Sequence, residues 1–210
     1  MKKLIVSALA AVAITAGAQT LAPTAGVECR LGGVALSEDY LDAAGFFGDI
    51  GFVYWGPSAT VGFWLGGGAE SLSLEWNDGT HPLDTDITGG EFGLSLLLRG
   101  ELLPGIALRG EVGGRYMFLD VDEPDDYYDW HGRYHYDPSF DPSSFALDID
   151  DTALVVLSLQ LEFNIYPLVL GVGGGYQFDC CKPAVSYCGE EFAEIDLSGA
   201  FGFVNFGFSF

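Results

Sequence analysis

The segment 122–148 carries the widest range of chemistry in the chain. Carboxylate oxygens are the ligands that Ca²⁺ prefers, and His131 with His135 could add nitrogen for a transition metal. The spacing fits no EF-hand, which needs alternating ligands, a central Gly and a terminal Glu. We expect a solvated acidic loop with packed aromatics, while ligand contact through Tyr and Trp and metal binding stay open. Its acidic and aromatic residues are Asp122, Glu123, Asp125, Asp126, Asp129, Asp137, Asp141, Asp148, Tyr127, Tyr128, Trp130, Tyr134, Tyr136, Phe140 and Phe145.

Histidine and serine could form a hydrolytic pair, but their positions do not favour one. The histidines are His81, His131 and His135, and the serines near the last two are Ser139, Ser143 and Ser144. All fall in segments that we interpret as loops, and a nucleophile and its base need mutual reach. No Gly-x-Ser-x-Gly elbow is present. We therefore predict no catalytic residues, and we assign no cofactor-binding or metal-binding residues.

Four cysteines permit several pairings that the sequence does not choose between. Cys180, Cys181 and Cys188 lie close together, and we expect one disulfide from Cys180 or Cys181 to Cys188. Cys29 falls on the apolar side of its predicted strand, where a free thiol behaves as a small hydrophobic residue. A zinc site is not favoured, because Cys180 and Cys181 are adjacent and no His is near.

Charge and composition exclude two broad classes. The 210 residues include 30 Asp and Glu against 8 Lys and Arg, a net charge of −22. A nucleic-acid-binding protein needs clusters of cations to neutralise phosphates, so nucleic acid is not an expected partner. Disorder is excluded by the 49% hydrophobic content. The length suits one domain.

The first 18 residues have the pattern of a cleaved signal peptide. Lys2 and Lys3 precede an apolar run from Leu4 to about Ala16, and Ala16-Gly17-Ala18 is a small-x-small cleavage site. The run is shorter than the ~20 residues that a transmembrane helix needs. We expect export of a mature chain, residues 19–210, and no lipid anchor, because no Cys stands immediately after the cleavage site and the first one is Cys29.

Alternation of apolar and polar residues dominates the mature chain. In 153–165 every odd position is apolar, while Ser158, Gln160, Glu162 and Asn164 occupy even positions. This period of two predicts a β-strand. The same pattern recurs in 91–102 and 106–118. These strands exceed the ~5–6 residues usual in soluble sheets and suit the ~9–11 tilted residues that cross a bilayer.

Eight such segments predict an all-β, eight-stranded antiparallel up-and-down transmembrane β-barrel. Tight turns at Gly56-Pro57, Leu103-Pro104 and Tyr166-Pro167 alternate with longer links, which is typical of an outer-membrane barrel with periplasmic turns. Apparent changes of parity predict bulges near Ala69–Ser71 and near Phe203–Val204. The predicted segments are 24–36, 45–55, 58–76, 86–102, 105–121, 149–165, 168–180 and 191–210.

The four arginines in these strands test the assignment. An Arg facing lipid at mid-membrane costs ~2–4 kcal/mol, so each should face the lumen. All four fall on the polar side of their strands. We expect them to form ion pairs that fill a plugged interior, with a selective proton or ion path as the alternative. The inward residues are predicted to be Arg30, Arg99, Arg109, Arg115, Glu28, Asp49, Glu91, Glu101, Glu111 and Glu162.

The carboxyl end, 198–210, resembles the terminal strand of bacterial outer-membrane proteins, with Phe206, Phe208 and Phe210 at alternating positions. Asn205 departs from that pattern, which often has Gly there. With the signal peptide and eight segments, the chain resembles the OmpA-type small barrels of the porin-like superfamily. The resemblance covers nearly the whole mature chain but is architectural, and we expect no peptidoglycan-binding domain after Phe210.

The resemblance implies the outer membrane of a Gram-negative-type bacterium, contact with its lipid and lipopolysaccharide, and recognition of the Phe210 strand by the barrel-insertion machinery. We expect a monomer with a structural or surface-interaction role in the envelope. The alternatives are a narrow porin or small-solute channel and, less favoured, a lipid A-modifying enzyme, since some such enzymes resemble eight-stranded barrels.

Overall fold

The computed structural model describes residues 25–38, 41–77, 82–121, 147–187 and 190–210. Eight strands form a closed antiparallel barrel in the order β1-β11-β8-β7-β5-β4-β3-β2. The predicted fold class is thus confirmed. The barrel strands are β1 (Ala25–Glu38), β2 (Leu41–Trp55), β3 (Val61–Asn77), β4 (Pro82–Leu103), β5 (Ile106–Val121), β7 (Thr152–Ile165), β8 (Leu168–Asp179) and β11 (Gly199–Ser209).

The remaining strands form a separate sheet in the order β10-β9-β6. They are β6 (Leu147–Ile149), β9 (Ala184–Tyr187) and β10 (Glu190–Glu194). The last barrel strand is consequently shorter than predicted, because part of the predicted segment 191–210 joins this small sheet instead.

The two ends of the barrel differ in their longest connections. The links between β2 and β3, β4 and β5, and β7 and β8 are short, as predicted, and we call their end the turn end. At 104–105 the turn uses Gly105 at φ +79°, a conformation that favours glycine. Ala25 and Phe210 also meet here, through backbone hydrogen bonds of 2.8 and 3.2 Å. The opposite end, which we call the loop end, has the two long links, 122–151 and 180–198, and the small sheet. Its other two links, 39–40 and 78–81, are as short as those of the turn end, so the predicted alternation of short and longer links holds only in part.

The outer face is a continuous apolar surface. Phe46, Phe92 and Val204 are more than half exposed there, as are leucines on several strands. Towards the loop end this surface gives way to exposed polar residues, including Asp86, Asp120 and Asp151. The outer face therefore has the apolar band, limited by polar residues, of a transmembrane barrel. Within the described residues, no helix is long and apolar enough to span a bilayer.

The two predicted bulges are wrong. Strand β3 pairs with β2 and β4 without a register shift, and β11 pairs with β1 and β8 in the same continuous way. The apparent changes of parity have another cause: the inward positions change from polar to apolar along the strand. Leu72, Leu74, Phe201 and Phe203 all face inward and are buried. The barrel's one described shift lies between Glu101 and Leu103, beside the turn end.

Candidate functional site

The charged side chains of the lumen form the main candidate site. Arg30 and Arg109 are each 1% exposed, and Arg115 is 7% exposed. Arg99 lies nearer the turn end, with a side chain that is 18% exposed. The prediction that all four guanidinium groups face inward is confirmed, because the pleat puts alternate residues on one face and lipid selects which face is apolar.

Two ion pairs cross the lumen between β1 and β5. Arg30 Nη1 lies 2.9 Å from Glu111 Oε2, and Arg109 Nη1 lies 2.7 Å from Glu28 Oε1. Each strand therefore supplies one guanidinium and one carboxylate to a crossed pair. Charge-assisted hydrogen bonds of this kind are stronger than neutral ones, and both partners are shielded from water.

Two further arginines extend the network along the barrel axis. Arg115 donates to both oxygens of Glu91, at 2.9 and 3.1 Å, and approaches Asp49 at 3.3 Å. Towards the turn end, Glu162 accepts from Arg99 at 2.9 Å and from Arg109 at 3.5 Å.

Aromatic side chains insulate these charges. The guanidinium carbon of Arg30 lies 4.6 Å from the ring centroid of Trp64, which is 1% exposed. Arg115 approaches the same ring at 5.8 Å. Trp64 thus serves as a cation–π partner for two arginines from different strands.

Several buried polar atoms of the lumen have no hydrogen-bond partner among the residues that the structure describes. They belong to carboxylates, guanidinium groups and amides, including both polar atoms of Gln160 and of Asn205. Buried polar groups normally find a partner in protein or ordered water.

The loop-end half of the lumen is filled by apolar side chains, which we call the apolar plug. Residues from the barrel wall meet residues from the small sheet and from the segment before β11. The plug therefore closes the barrel on the loop-end side of the buried ion pairs, whose side chains we call the charged layer. Its members are Val34, Leu36, Ala43, Phe47, Leu72, Leu74, Ile87, Met117, Val121, Ile149, Leu154, Val156, Val185, Ile195, Leu197, Phe201 and Phe203.

Asp179 fastens the loop-end segments to the barrel. Its Oδ1 accepts from Thr152 Oγ1 at 2.7 Å and from the backbone N–H groups of Cys181 and Lys182 at 3.1 and 3.2 Å. Its Oδ2 accepts from the N–H of Leu197, a member of the plug, at 3.1 Å. One carboxylate thus joins β7, β8 and the chain leading into β11.

A further ion pair lies outside the barrel strands. Lys182 Nζ approaches Asp196 Oδ2 at 3.3 Å. Burial raises the pKa of Asp196, but hydrogen bonds from Ser198 and the charge of Lys182 outweigh it and hold the pKa below its ordinary value. Asp196 therefore stays ionised at neutral pH and orients the segment that supplies Leu197.

A cavity of about 620 Å³, which we call the vestibule, lies at the turn end. Buried Glu28 and Glu162 lie at its inner end, and Trp55, Arg99 and exposed Glu101 also line it. The charged layer and the plug separate it from the loop end.

The outcomes of the other site predictions differ. Glu101 faces the lumen but lies at its mouth, where it accepts a hydrogen bond from the N–H of Gly105. Inward Glu70, 6% exposed, was missed because the predicted bulge interrupted the parity that it continues. Continuing the inward positions from Trp64 in steps of two residues would have placed Glu70 inward.

The cysteine predictions have two outcomes. Cys29 is exposed on the outer face, as predicted. Cys180 and Cys181 are exposed, and the disulfide from one of them to Cys188 stays a prediction, because Cys188 lies outside the described residues. The residues singled out from 122 to 145, with His81, His131 and His135, also lie outside them, as does the predicted signal peptide.

Comparison with known proteins identifies the fold. No protein-family model and no curated protein sequence matches the chain. Among solved structures, the chain is similar to the outer membrane protein OprG from Pseudomonas aeruginosa, with a TM-score of 0.61 and 11% identity, over 90% of this chain and 96% of that one. It is also similar to a major outer membrane protein from Thermus thermophilus, with a TM-score of 0.58 and 14% identity, over 90% of this chain and 100% of that one. The fold is thus shared with bacterial outer-membrane barrels.

Proposed function

We propose that this chain is a closed, non-conducting outer-membrane barrel of a Gram-negative-type bacterium, with a structural or surface-interaction role in the envelope. The observation that carries the proposal is the apolar plug, which fills the loop-end half of the lumen. Leu74 and Leu197, at 0% exposed, lie within it. Ions avoid a dry apolar constriction, because they would lose their hydration without compensation.

The outer surface supports insertion into a bilayer. Its exposed residues are apolar along most of each strand, and large apolar surfaces of this extent are not stable against water. Carboxylates such as Asp120 and Asp151 follow at the loop end, where a bilayer would end. We assign the loop end to the cell exterior and the turn end to the periplasm, as is usual for such barrels.

The small sheet and the hydrogen bonds that Asp179 accepts at the loop end support the proposed surface role. Ile149 and Val185 anchor β6 and β9 in the plug. The exterior side would therefore present acidic segments on a fixed base, which favours a surface-interaction role over transport. Because these segments and the phosphates of lipopolysaccharide are both anionic, contact between them would need divalent cations as counterions.

Assembly would use the carboxyl-terminal strand. Val204, Phe206 and Phe208 face outward on β11, which closes the ring against β1. An exposed apolar strand ending at Phe210 is suited to recognition by the barrel-insertion machinery, and a closed ring leaves no free edge for pairing with another copy. We therefore propose a monomer in contact with lipid, without catalytic activity.

Two measurements test this proposal. After membrane fractionation, the protein should be in the outer membrane, and protease added to intact cells should cleave only within loop-end connections. In planar bilayers the purified protein should give no discrete openings. Discrete, reproducible openings would support the channel alternative instead, and recovery in the soluble fraction would defeat membrane insertion. For the enzyme alternative, mass spectrometry of lipid A after expression should show unchanged acyl chains.

A further inference from the structure

The lumen holds more carboxylates than guanidinium groups. Among the described residues, six carboxylate side chains are buried there, and four arginines are placed to pair with them. In the part of the chain that the structure describes, Glu70 is the buried carboxylate without an ion pair. The other five each lie 2.7–3.3 Å from a guanidinium nitrogen, and they are Glu28, Asp49, Glu91, Glu111 and Glu162.

Glu70 lies at the border between the charged layer and the apolar plug. It is 6% exposed, and its Oε1 has no hydrogen-bond partner among the described residues. Its cross-strand neighbours are Phe47 on β2 and Gly89 on β4, whose side chains offer no donor. The next inward residue of β3 towards the loop end is Leu72, which belongs to the plug with Phe47.

The charged groups around Glu70 do not supply a free cation. Glu91 on β4 and Arg115 on β5 act on it electrostatically, and β2 places Asp49 one inward position beyond Phe47. Arg115 already donates to both oxygens of Glu91 and approaches Asp49 at 3.3 Å. An ionised Glu70 would add a third carboxylate to a guanidinium group that two carboxylates share, next to the like charge of Glu91.

We propose that Glu70 is a proton-binding site of the closed barrel. At neutral pH its carboxyl group is a neutral acid, and in alkaline solution the proton passes to solvent and leaves a buried carboxylate that weakens the fold. A buried charge without a partner is far more costly than the neutral group, and such groups usually neutralise. This inference goes beyond the proposed function, because it concerns the barrel itself and does not depend on conductance or on a surface partner.

The proposal fixes how stability depends on pH. In the unfolded chain Glu70 is hydrated and ionises at mildly acidic pH. While the folded barrel still holds the proton, unfolding releases it, so raising the pH favours the unfolded chain. For one proton this raises the unfolding equilibrium constant by about tenfold per pH unit. The slope ends at the pH at which Glu70 also ionises in the folded barrel.

Reversible unfolding of the full barrel in detergent, from about pH 5 to about pH 9, tests this dependence. Glu70→Gln keeps the shape of the neutral acid and cannot ionise. We expect the unfolding constant of the natural chain to rise at least about tenfold relative to that of Glu70→Gln over this range. Glu75→Gln, which removes an exposed carboxylate on the same strand, should follow the natural chain at every pH.

A second variant separates an unpaired carboxylate from a paired one. Glu91→Gln removes the carboxylate that accepts two hydrogen bonds from Arg115. It should raise the unfolding constant about tenfold or more at neutral pH, because it leaves Arg115 poorly paired. Glu70→Gln at the same pH should leave the unfolding constant equal to that of the natural chain or lower.

Infrared spectroscopy of the folded barrel detects the proton directly. At neutral pH we expect the carbonyl band of a protonated carboxylic acid, which is lost in alkaline solution, is missing from Glu70→Gln and is kept in Glu75→Gln. If Glu70→Gln does not fold, Glu70→Leu, which is also uncharged, replaces it. The proposal is overturned if the band is missing at neutral pH, if it persists without Glu70, or if the natural chain and the uncharged variant share one pH dependence. A loss of stability in Glu70→Gln as large as that in Glu91→Gln would also overturn it, since that result indicates an ionised, paired Glu70.

Discussion

Arg109 and Glu28 form an ion pair across the full width of the barrel, with 2.7 Å between Nη1 and Oε1. Their strands, β5 and β1, are four places apart in either direction around the ring. Arg30 and Glu111 join the same two strands with the charges exchanged, and both pairs span 81 residues of sequence. The two pairs act as crossed struts that join opposite walls of the barrel in its turn-end half.

Replacing one residue of the Arg30–Glu111 pair should lower the free energy of unfolding more than replacing both residues. We predict that Arg30→Met lowers the free energy of unfolding by about 3–5 kcal/mol, because Glu111 is then left buried without its ion-pair partner. Arg30→Met with Glu111→Leu should recover much of this loss. Guanidinium unfolding in detergent, followed by the shift in electrophoretic mobility, measures both. Leu31→Met, on the lipid face next in sequence, is the control and should change little; a double variant as unstable as the single would contradict the prediction.

The plug should contribute much of the stability at the loop end. Leu74→Ala removes a side chain that is 0% exposed, and we expect a loss of about 2–5 kcal/mol. Leu65→Ala is the matched control on the same strand, since Leu65 faces outward at 54% exposed and its truncation opens no internal cavity. Thermal unfolding in the same detergent compares the two. Equal losses would show that the plug is loosely packed.

The strand positions were predictable from sequence because lipid imposes one rule on one face of every strand. Outward residues must be apolar, so parity locates the strands and turns the arginines inward. Inward residues, in contrast, can be either polar or apolar. Leu72 and Leu74 on β3, with Phe201 and Phe203 on β11, are inward and apolar, and local parity interpreted the change as a bulge.

The partners of each charge were not predictable for a related reason. Arg109 and Glu28 occupy strands that do not pair with each other, and their contact depends on the closure and stagger of the whole ring. A pattern of period two within each strand carries no information on that register. Sequence therefore identified the members of the charged layer, apart from Glu70, but not its crossed arrangement.

Asp179 should control local opening of the loop end. Asp179→Ala removes the acceptor for Thr152 Oγ1 and for the N–H groups of Cys181, Lys182 and Leu197, and we expect local destabilisation of about 1–3 kcal/mol. Amide hydrogen exchange should become faster at Cys181 and Leu197 and stay unchanged in mid-barrel. Asp120→Asn, an exposed carboxylate on β5, is the control. Unchanged exchange at Leu197 would show that the plug alone holds this segment.

Gly51 should be intolerant of a side chain because it makes room for Trp64. A Cβ at Gly51 would overlap the indole of Trp64, whose ring the guanidinium groups of Arg30 and Arg115 approach. We predict that Gly51→Ala costs about 1–3 kcal/mol through overpacking. Gly90→Ala is the matched control, because a Cβ there has its nearest neighbour, the carbonyl oxygen of Gly68, at 4.0 Å.

A second substitution separates overlap with Trp64 from a backbone effect at Gly51. In a Trp64→Leu background the smaller side chain vacates the space, so Gly51→Ala should cost much less than in the natural chain. Chemical unfolding of the four variants in one detergent gives the coupling energy directly. If Gly51→Ala costs as much in the Trp64→Leu background as in the natural chain, the strain lies in the backbone of β2. If the cost largely disappears, Gly51 is required because the indole of Trp64, which lies beside Arg30 and Arg115, occupies the space of a side chain.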